Sequence, residues 1–180
     1  MGVLDGKRVA VLATDGVEEV ELTDPRAAVE RAGATVEVVS IDTDPIQAMN
    51  SDIEPAGKHE VHRRAAEASA DDYDALIMPG GTVNADRLRM DADVRSFVTA
   101  VLESGKPVAA ICHAPWTLVE ADLVAGRTLT SYPSLRTDIA NAGGKVVDEE
   151  VAVDGNLITS RDPGDLAAFS ATLVEAIAKS

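Results

Sequence analysis

The apolar run Pro107-Val108-Ala109-Ala110-Ile111 passes into Cys112-His113-Ala114-Pro115-Trp116 with no spacer. The first part reads as a short buried strand, the second as a helix with proline in its first turn. This junction puts Cys112, the only cysteine of the chain, on a sharp strand-to-helix turn. At such a turn the side chain stands clear of the sheet and the backbone is strained. The new helix also aims free N–H groups and its positive dipole end at the sulfur. A cysteine placed there is expected to hold more thiolate than a free one. The competing reading is a small buried core residue, as free cysteines often are.

The rest of the chain repeats the alternation of strand and helix. Strands are read at 7–14 (KRVAVLAT), 35–40 (TVEVVS), 73–78 (YDALIM), 106–111 and 127–132, with shorter ones at 146–147, 151–153 and 156–160. A helix runs through Pro25 to Ala32, and Gly33 stops it. Asp91 caps another helix that runs to Ser104; further helices cover 114–124, Pro133 to about Gly143, and Pro163–Lys179. Residues 42–72 are polar and weakly patterned, and are read as a small hairpin or surface excursion carrying His59 and His62. The alternation implies a parallel sheet covered on both faces and built from right-handed crossovers. In such sheets a ligand site lies beyond the carboxyl ends of the strands. The loops at 15–23, 79–86 and 112–115 are therefore expected to converge.

Composition bounds the function. At 180 residues with 46% hydrophobic content the chain reads as one soluble domain spanning 1–180. A net charge of −15 argues against nucleic acid and anionic membranes as partners. That charge fits a solvated acidic surface or a salt-adapted host. No apolar run reaches membrane-spanning length and no signal-peptide core is evident, so the cytoplasm is the expected compartment. One cysteine and two nearby histidines fall short of a zinc site, and no metal or cofactor is expected.

The first converging loop carries Glu18, Glu19 and Glu21. Acidic residues suit a helix start, and Glu19 is read as solvated there. Glu18 and Glu21 share a helical face, so at least one is able to point at the cysteine. A glutamic acid that keeps its proton beside a thiolate titrates with it as a pair and hydrogen-bonds the sulfur. In the second loop, Gly80-Gly81 is either a plain turn or a place where backbone N–H groups approach a ligand closely. The Gly81 and His113 N–H groups together would form an oxyanion hole, with Glu18 and Gly80 against the substrate. His113 is adjacent to Cys112, and its ring is not expected to face the sulfur easily. Base, substrate contact and packed helix-start residue all remain open for it. A glutamine-amidotransferase triad is disfavoured, because no histidine follows His113.

At these residues the chain resembles the ThiJ/PfpI superfamily, in particular the PfpI-type intracellular proteases and their stress-protein relatives. The resemblance runs over nearly the whole length. It rests on DGVEEVELTDPRAAVERAGATVEVVS, Gly57-Lys58-His59, YDALIMPGG, NADRLRMD, the elbow stretch GKPVAAICHAPWTLVEADLVAGRTLTSYPSLRTDIANAG, and VDGNLITSRDPGDLAAF. It implies an α/β flavodoxin-like three-layer sandwich with a mostly parallel central sheet and a nucleophile elbow. It makes Cys112 the nucleophile, Glu21 its carboxyl partner and His113 the adjacent histidine. Asp86 matches the acidic position that a neighbouring subunit brings to this histidine in PfpI-type proteins. Here it is aspartate rather than glutamate, in a loop read as one residue longer. The resemblance also implies a homodimer or higher homo-oligomer. Its activities would be glyoxalase, deglycase or peptidase chemistry on small carbonyl compounds or peptide and protein adducts. The alternative is a non-catalytic redox sensor or protein-protective factor working through oxidation of Cys112.

Overall fold

Successive side chains of a strand point to opposite faces, and in the central strands of this protein both sets are apolar. Val9 and Val11 pack on one face and Ala10 and Leu12 on the other; Ala75 and Ile77 oppose Leu76 and Met78; Ala109 and Ile111 oppose Val108 and Ala110. A sheet with two such faces needs a helical layer on each side. The computed structural model describes residues 2–180 and has that form.

In chain order the strands are β1 (Arg8–Leu12), β2 (Thr35–Ser40), β3 (Ile46–Asn50), β4 (Glu54–His59), β5 (Arg63–Arg64) and β6 (Ala75–Met78). They continue with β7 (Val108–Ile111), β8 (Thr128–Leu129), β9 (Lys145–Val146), β10 (Val151–Asp154) and β11 (Leu157–Ser160). The α-helices are α1 (Glu19–Arg31), α2 (Thr82–Met90), α3 (Ala92–Glu103), α4 (Pro115–Glu120), α5 (Arg136–Asn141) and α6 (Leu166–Lys179). The main sheet has seven strands in the order β10-β11-β7-β6-β1-β2-β5. All neighbours are parallel except β10 and β11, which pair antiparallel. Leu22 and Val29 of α1 and Phe169, Leu173 and Ile177 of α6 cover one face. Leu88 of α2, Val94 to Leu102 of α3, Leu118 of α4 and Ile139 of α5 cover the other. The mostly parallel three-layer α/β sandwich is therefore as expected. Among the described residues no helix is long and apolar enough to cross a membrane.

Several elements differ from the sequence reading. Residues 82–86, expected within the loop at 79–86, open α2, which runs on to Met90. Its N-cap is Gly81, at φ 93° and without a side chain, so no local capping signal exists. The cap comes instead from Asp52, thirty residues upstream, whose Oδ1 accepts from the Thr82 N–H at 2.8 Å. The helix at 114–124 ends at Glu120, with Asp122 in the left-handed region at φ 57°. Of the strand at 127–132 only Thr128–Leu129 pairs, with β9 in a separate two-stranded sheet.

The polar excursion is a folded antiparallel hairpin of β3 and β4. Its turn is closed by the Ile53 N–H donating to the Asn50 carbonyl at 3.3 Å. Ser51 and Asp52 both sit at positive φ, 52° and 66°. A turn of this hand favours Asn-Gly, so Ser-Asp gave little warning of it. The hairpin hangs on the loop after β1. Gly16 donates to Gln47, Met49 to Val17, and the Gln47 N–H to Asp15 Oδ1.

One buried side chain clamps the carboxyl ends of β1 and β6 together. Asn84, fully buried on α2, accepts from the Thr14 N–H at 2.8 Å and donates to the Pro79 and Gly80 carbonyls at 3.0 Å each. Asn84→Ala leaves the Thr14 N–H and the Pro79 carbonyl buried and unpaired. We expect it to cost about 2–4 kcal/mol in urea denaturation; a loss within measurement error would contradict this role.

Candidate active site

The elbow is built by the sheet. The Cys112 N–H makes the last bond to β11, donating to the Ser160 carbonyl at 3.1 Å, and the chain then turns sharply. Cys112 takes φ 63°, a left-handed conformation that costs a non-glycine residue about 1–3 kcal/mol. The Ala114 N–H closes the turn onto Ile111 at 3.0 Å, Tyr132 donates to the Cys112 carbonyl at 2.9 Å, and Pro115 opens α4. The sulfur then faces a cleft of about 250 Å³. Glu18, Glu21, Ser51, Asp52, Gly81, Cys112, His113, Tyr132 and Pro163 line it. Pro163 reaches the cleft because Asp165 accepts from the Arg161 backbone N–H and from its guanidinium, folding the chain after β11.

Of the two glutamates left open by spacing, Glu21 is the buried one. It is wholly inaccessible to solvent, and its Oε2 accepts from the Gly80 N–H at 2.8 Å. Oε1 is sealed from water without an oxygen or nitrogen partner, and the carboxyl interacts with the Cys112 thiol. Desolvation pushes Glu21 up to about 8, because a buried charge with one unpaired oxygen is costly. It is therefore a protonated acid at neutral pH. Glu18 stays at the rim, where its Oε1 accepts from the Ser51 N–H at 3.1 Å.

Both glycines of the second loop are there for lack of space. A Cβ on Gly80 would sit 2.5 Å from Glu21 Oε2 and 2.6 Å from Cys112 Cβ. One on Gly81 would sit 2.2 Å from the Gly16 carbonyl, at a φ of 93°. The N–H groups of Gly81 and His113 both reach the Cys112 sulfur and favour its ionised form. Burial works against them and pushes the thiol up, and Glu21 adds to this once it ionises. The extra thiolate expected at the elbow is thus opposed by burial, since only 7% of the residue meets solvent.

His113 also departs from expectation. Its ring does face the sulfur, with Nδ1 3.2 Å from Cys112 Sγ. The positive φ of Cys112 swings the two adjacent side chains to the same side. The ring stacks on Tyr132, centroids 4.7 Å apart, and meets Trp116 edge-on at 5.5 Å. Its Nε2 lies 3.4 Å from Thr82 Oγ1 and 3.3 Å from Ser134 Oγ. Burial lowers the affinity of His113 for a proton, and the Asp52 charge works against this.

Asp86 is not brought to this cleft. It is exposed on α2 and lines a separate cleft with Thr14, Asp42 and Arg87. Glu19 is not merely solvated: its Oε2 bonds the Gly57 N–H at 3.2 Å and His59 Nε2 at 2.9 Å, tying the hairpin to α1. His62 is likewise engaged, its Nδ1 accepting from the Val38 N–H at 3.0 Å. Sequence reasoning missed Asp52, Thr82, Tyr132 and Ser134. The only signal for Asp52 was the hairpin itself, whose tip no motif marked.

The raised Glu21 has a consequence for stability. The folded state holds this proton more tightly than the unfolded one. The associated stability is fully present below about pH 4.5 and is lost as pH rises to about 8. Glu21→Gln keeps an acceptor for the Gly80 N–H and has nothing to ionise. We expect the melting temperature of the variant, relative to wild type, to climb across that window. A difference that stays flat with pH would contradict a protonated Glu21.

The DJ-1/PfpI family profile matches residues 7–176. A Bacillus subtilis (strain 168) protein named "Putative cysteine protease YraA" is 42% identical over 168 residues, covering 91% of this chain and 94% of the relative. Among solved structures, a two-domain protein from Anabaena variabilis with DJ-1/ThiJ/PfpI-like and ferritin-like domains superposes with a TM-score of 0.88 at 36% identity. The match covers 94% of this chain and 47% of that protein. Drosophila melanogaster DJ-1beta superposes with a TM-score of 0.84 at 28% identity, covering 100% of this chain and 92% of the other. The chain belongs to the DJ-1/PfpI family.

Proposed function

We propose that this protein is a cysteine-dependent enzyme that attacks small carbonyl compounds, or the carbonyl adducts they form on peptides, with Cys112 as nucleophile. The observation that carries the reading is the 3.2 Å contact between Cys112 Sγ and His113 Nδ1 at a strained elbow beside a buried, protonated Glu21. His113 Nδ1 takes the thiol proton and the sulfur attacks the carbonyl carbon. The carbonyl electron pair moves onto oxygen, where the Gly81 and His113 N–H groups receive it. Glu21 protonates that oxygen, and the resulting carboxylate is then a base for the neighbouring C–H. With an α-oxoaldehyde this sequence leads through an enediol to a thioester, which water hydrolyses to a 2-hydroxy acid.

Peptidase, deglycase and glyoxalase activities share these first steps. A cleft of about 250 Å³ favours a molecule of a few heavy atoms, or one modified side chain, over an extended peptide. Glu18 and Gly80 flank the bound substrate. Homo-oligomer assembly belongs to the reading, supported by Ile53 and Val83, exposed on either side of the Asp52–Thr82 bond. Any contribution of Asp86 would be made to another copy.

A second reading, redox sensing, is favoured by one feature: Glu21 is placed to donate its proton to an oxidised Cys112 sulfur. Brief peroxide treatment with intact-mass detection separates the two. Stoichiometric gain of two oxygens with no carbonyl turnover supports the sensor.

Methylglyoxal consumption with enzymatic lactate detection, in buffers free of amines and thiols, tests the first reading. Cys112→Ala is expected to fold and to fall to the level of a mock-purified control. Glu21→Gln is expected to lose about 10²–10⁴-fold in kcat. Turnover by Cys112→Ala above that control would overturn the proposal.

A further inference from the structure

We infer that Asp52, at the tip of the β3–β4 hairpin, is a positioning residue that acts through the Thr82 hydroxyl to hold His113 in the tautomer whose Nδ1 lone pair faces Cys112. The inference deepens the reading above and rests on it for its purpose, although its test does not require turnover.

Counting protons along the chain from Asp52 fixes the tautomer. The Asp52 carboxylate offers only acceptors. Its Oδ1 takes the Thr82 N–H and its Oδ2 takes the Thr82 hydroxyl, each at 2.8 Å. The single hydroxyl proton of Thr82 is therefore spent on Asp52, and Oγ1 has only lone pairs left for its next neighbour. That neighbour is His113 Nε2, at 3.4 Å. Two facing lone pairs repel, so Nε2 must carry the hydrogen and Nδ1 must be bare. Bare Nδ1 is the atom 3.2 Å from the thiol. The thiol proton then has an acceptor: the S–H bond breaks, the Nδ1–H bond forms, and the charges are a thiolate and an imidazolium. Asp52 also carries the charge that favours the imidazolium.

The surroundings of His113 include one group able to oppose this. Ser134 Oγ, 3.3 Å from Nε2, accepts from it or donates to it by rotating its hydroxyl. Tyr132 and Trp116 meet the ring by their faces and edges, and fix its plane rather than its protons. The remaining acidic groups of the cleft, Glu18 and Glu21, lie on the α1 side, Glu21 being in contact with the thiol.

Asp52→Asn reverses the logic while keeping the cap on α2. The amide oxygen stays on the Thr82 N–H, its NH₂ then faces Oγ1, and the Thr82 proton turns to His113 Nε2. The expected result is a tautomer switch placing hydrogen on Nδ1. It is read by ¹⁵N-histidine NMR, with His113 assigned by loss of its signal in His113→Asn. Iodoacetamide alkylation of Cys112, followed by intact mass across pH, is expected to slow about tenfold near neutrality in Asp52→Asn and in Thr82→Val. Thr82→Ser, which restores the hydroxyl, is expected to return both readouts to wild type. An unchanged tautomer and alkylation profile in Asp52→Asn would overturn the inference, as would Thr82→Ser behaving like Thr82→Val. A tautomer switch in a protein that turns over no carbonyl substrate supports the relay and sinks the enzymatic reading, so the two fail separately.

Discussion

A carboxyl group with no access to water stands against a thiol, and the rest of the site is arranged around that contact. Glu21 is fully buried, with one oxygen on the Gly80 N–H and the other without an oxygen or nitrogen partner among the described residues. Such a group resists ionisation, because no solvent and too few donors surround the charge. Its proton keeps the contact tolerable when the sulfur ionises, since a carboxylate and a thiolate side by side would repel. The tight approach in turn dictates Gly80, where even a methyl group would overlap both side chains. Gly81 follows for a different reason: it must pass the Gly16 carbonyl at a positive φ to deliver its N–H to the sulfur.

The sandwich supplies this contact with little waste. α1 enters from the carboxyl end of β1 and carries Glu21 inward; β6 ends at the glycine pair; β7 ends at the elbow. Asn84 locks the first two ends to each other through three buried hydrogen bonds. Because burial opposes ionisation of Cys112, the site has a use for a base, and His113 is the nearest one. The hairpin between β2 and β6 is then more than decoration. It covers the cleft, caps α2, and puts Asp52 where the hydrogen-bond chain from Cys112 ends.

What was legible in the sequence follows the range of the interaction responsible. β2 falls at Thr35–Ser40 as expected, and Asp91 caps α3 as expected, its Oδ1 accepting from the Val94 N–H at 2.9 Å. Both are local matters of periodicity and capping. The elbow and the convergence of three loops were legible because strand-helix alternation implies a parallel sheet. Spacing alone left Glu18 and Glu21 equivalent; the resemblance singled out Glu21, and in the structure Glu21 is the buried one. Helix α2 was missed because its cap is supplied by Asp52 from another part of the chain. The orientation of His113 was misjudged because it depends on a φ of 63° at Cys112, which residue type argues against. The thiolate expectation is opposed by burial, which no local pattern reports. Asp86 stood out only by resemblance, and within one chain its side chain belongs to a different cleft.

The whole arrangement depends on Glu21 keeping its proton at neutral pH. Carboxyl ¹³C NMR of glutamate-labelled protein, with the Glu21 signal assigned by its loss in Glu21→Gln, measures this without reference to activity. The expected result is a protonated Glu21 at neutral pH, titrating at about 8. A Glu21 carboxyl already ionised well below neutrality, with an ordinary glutamate midpoint, would contradict it.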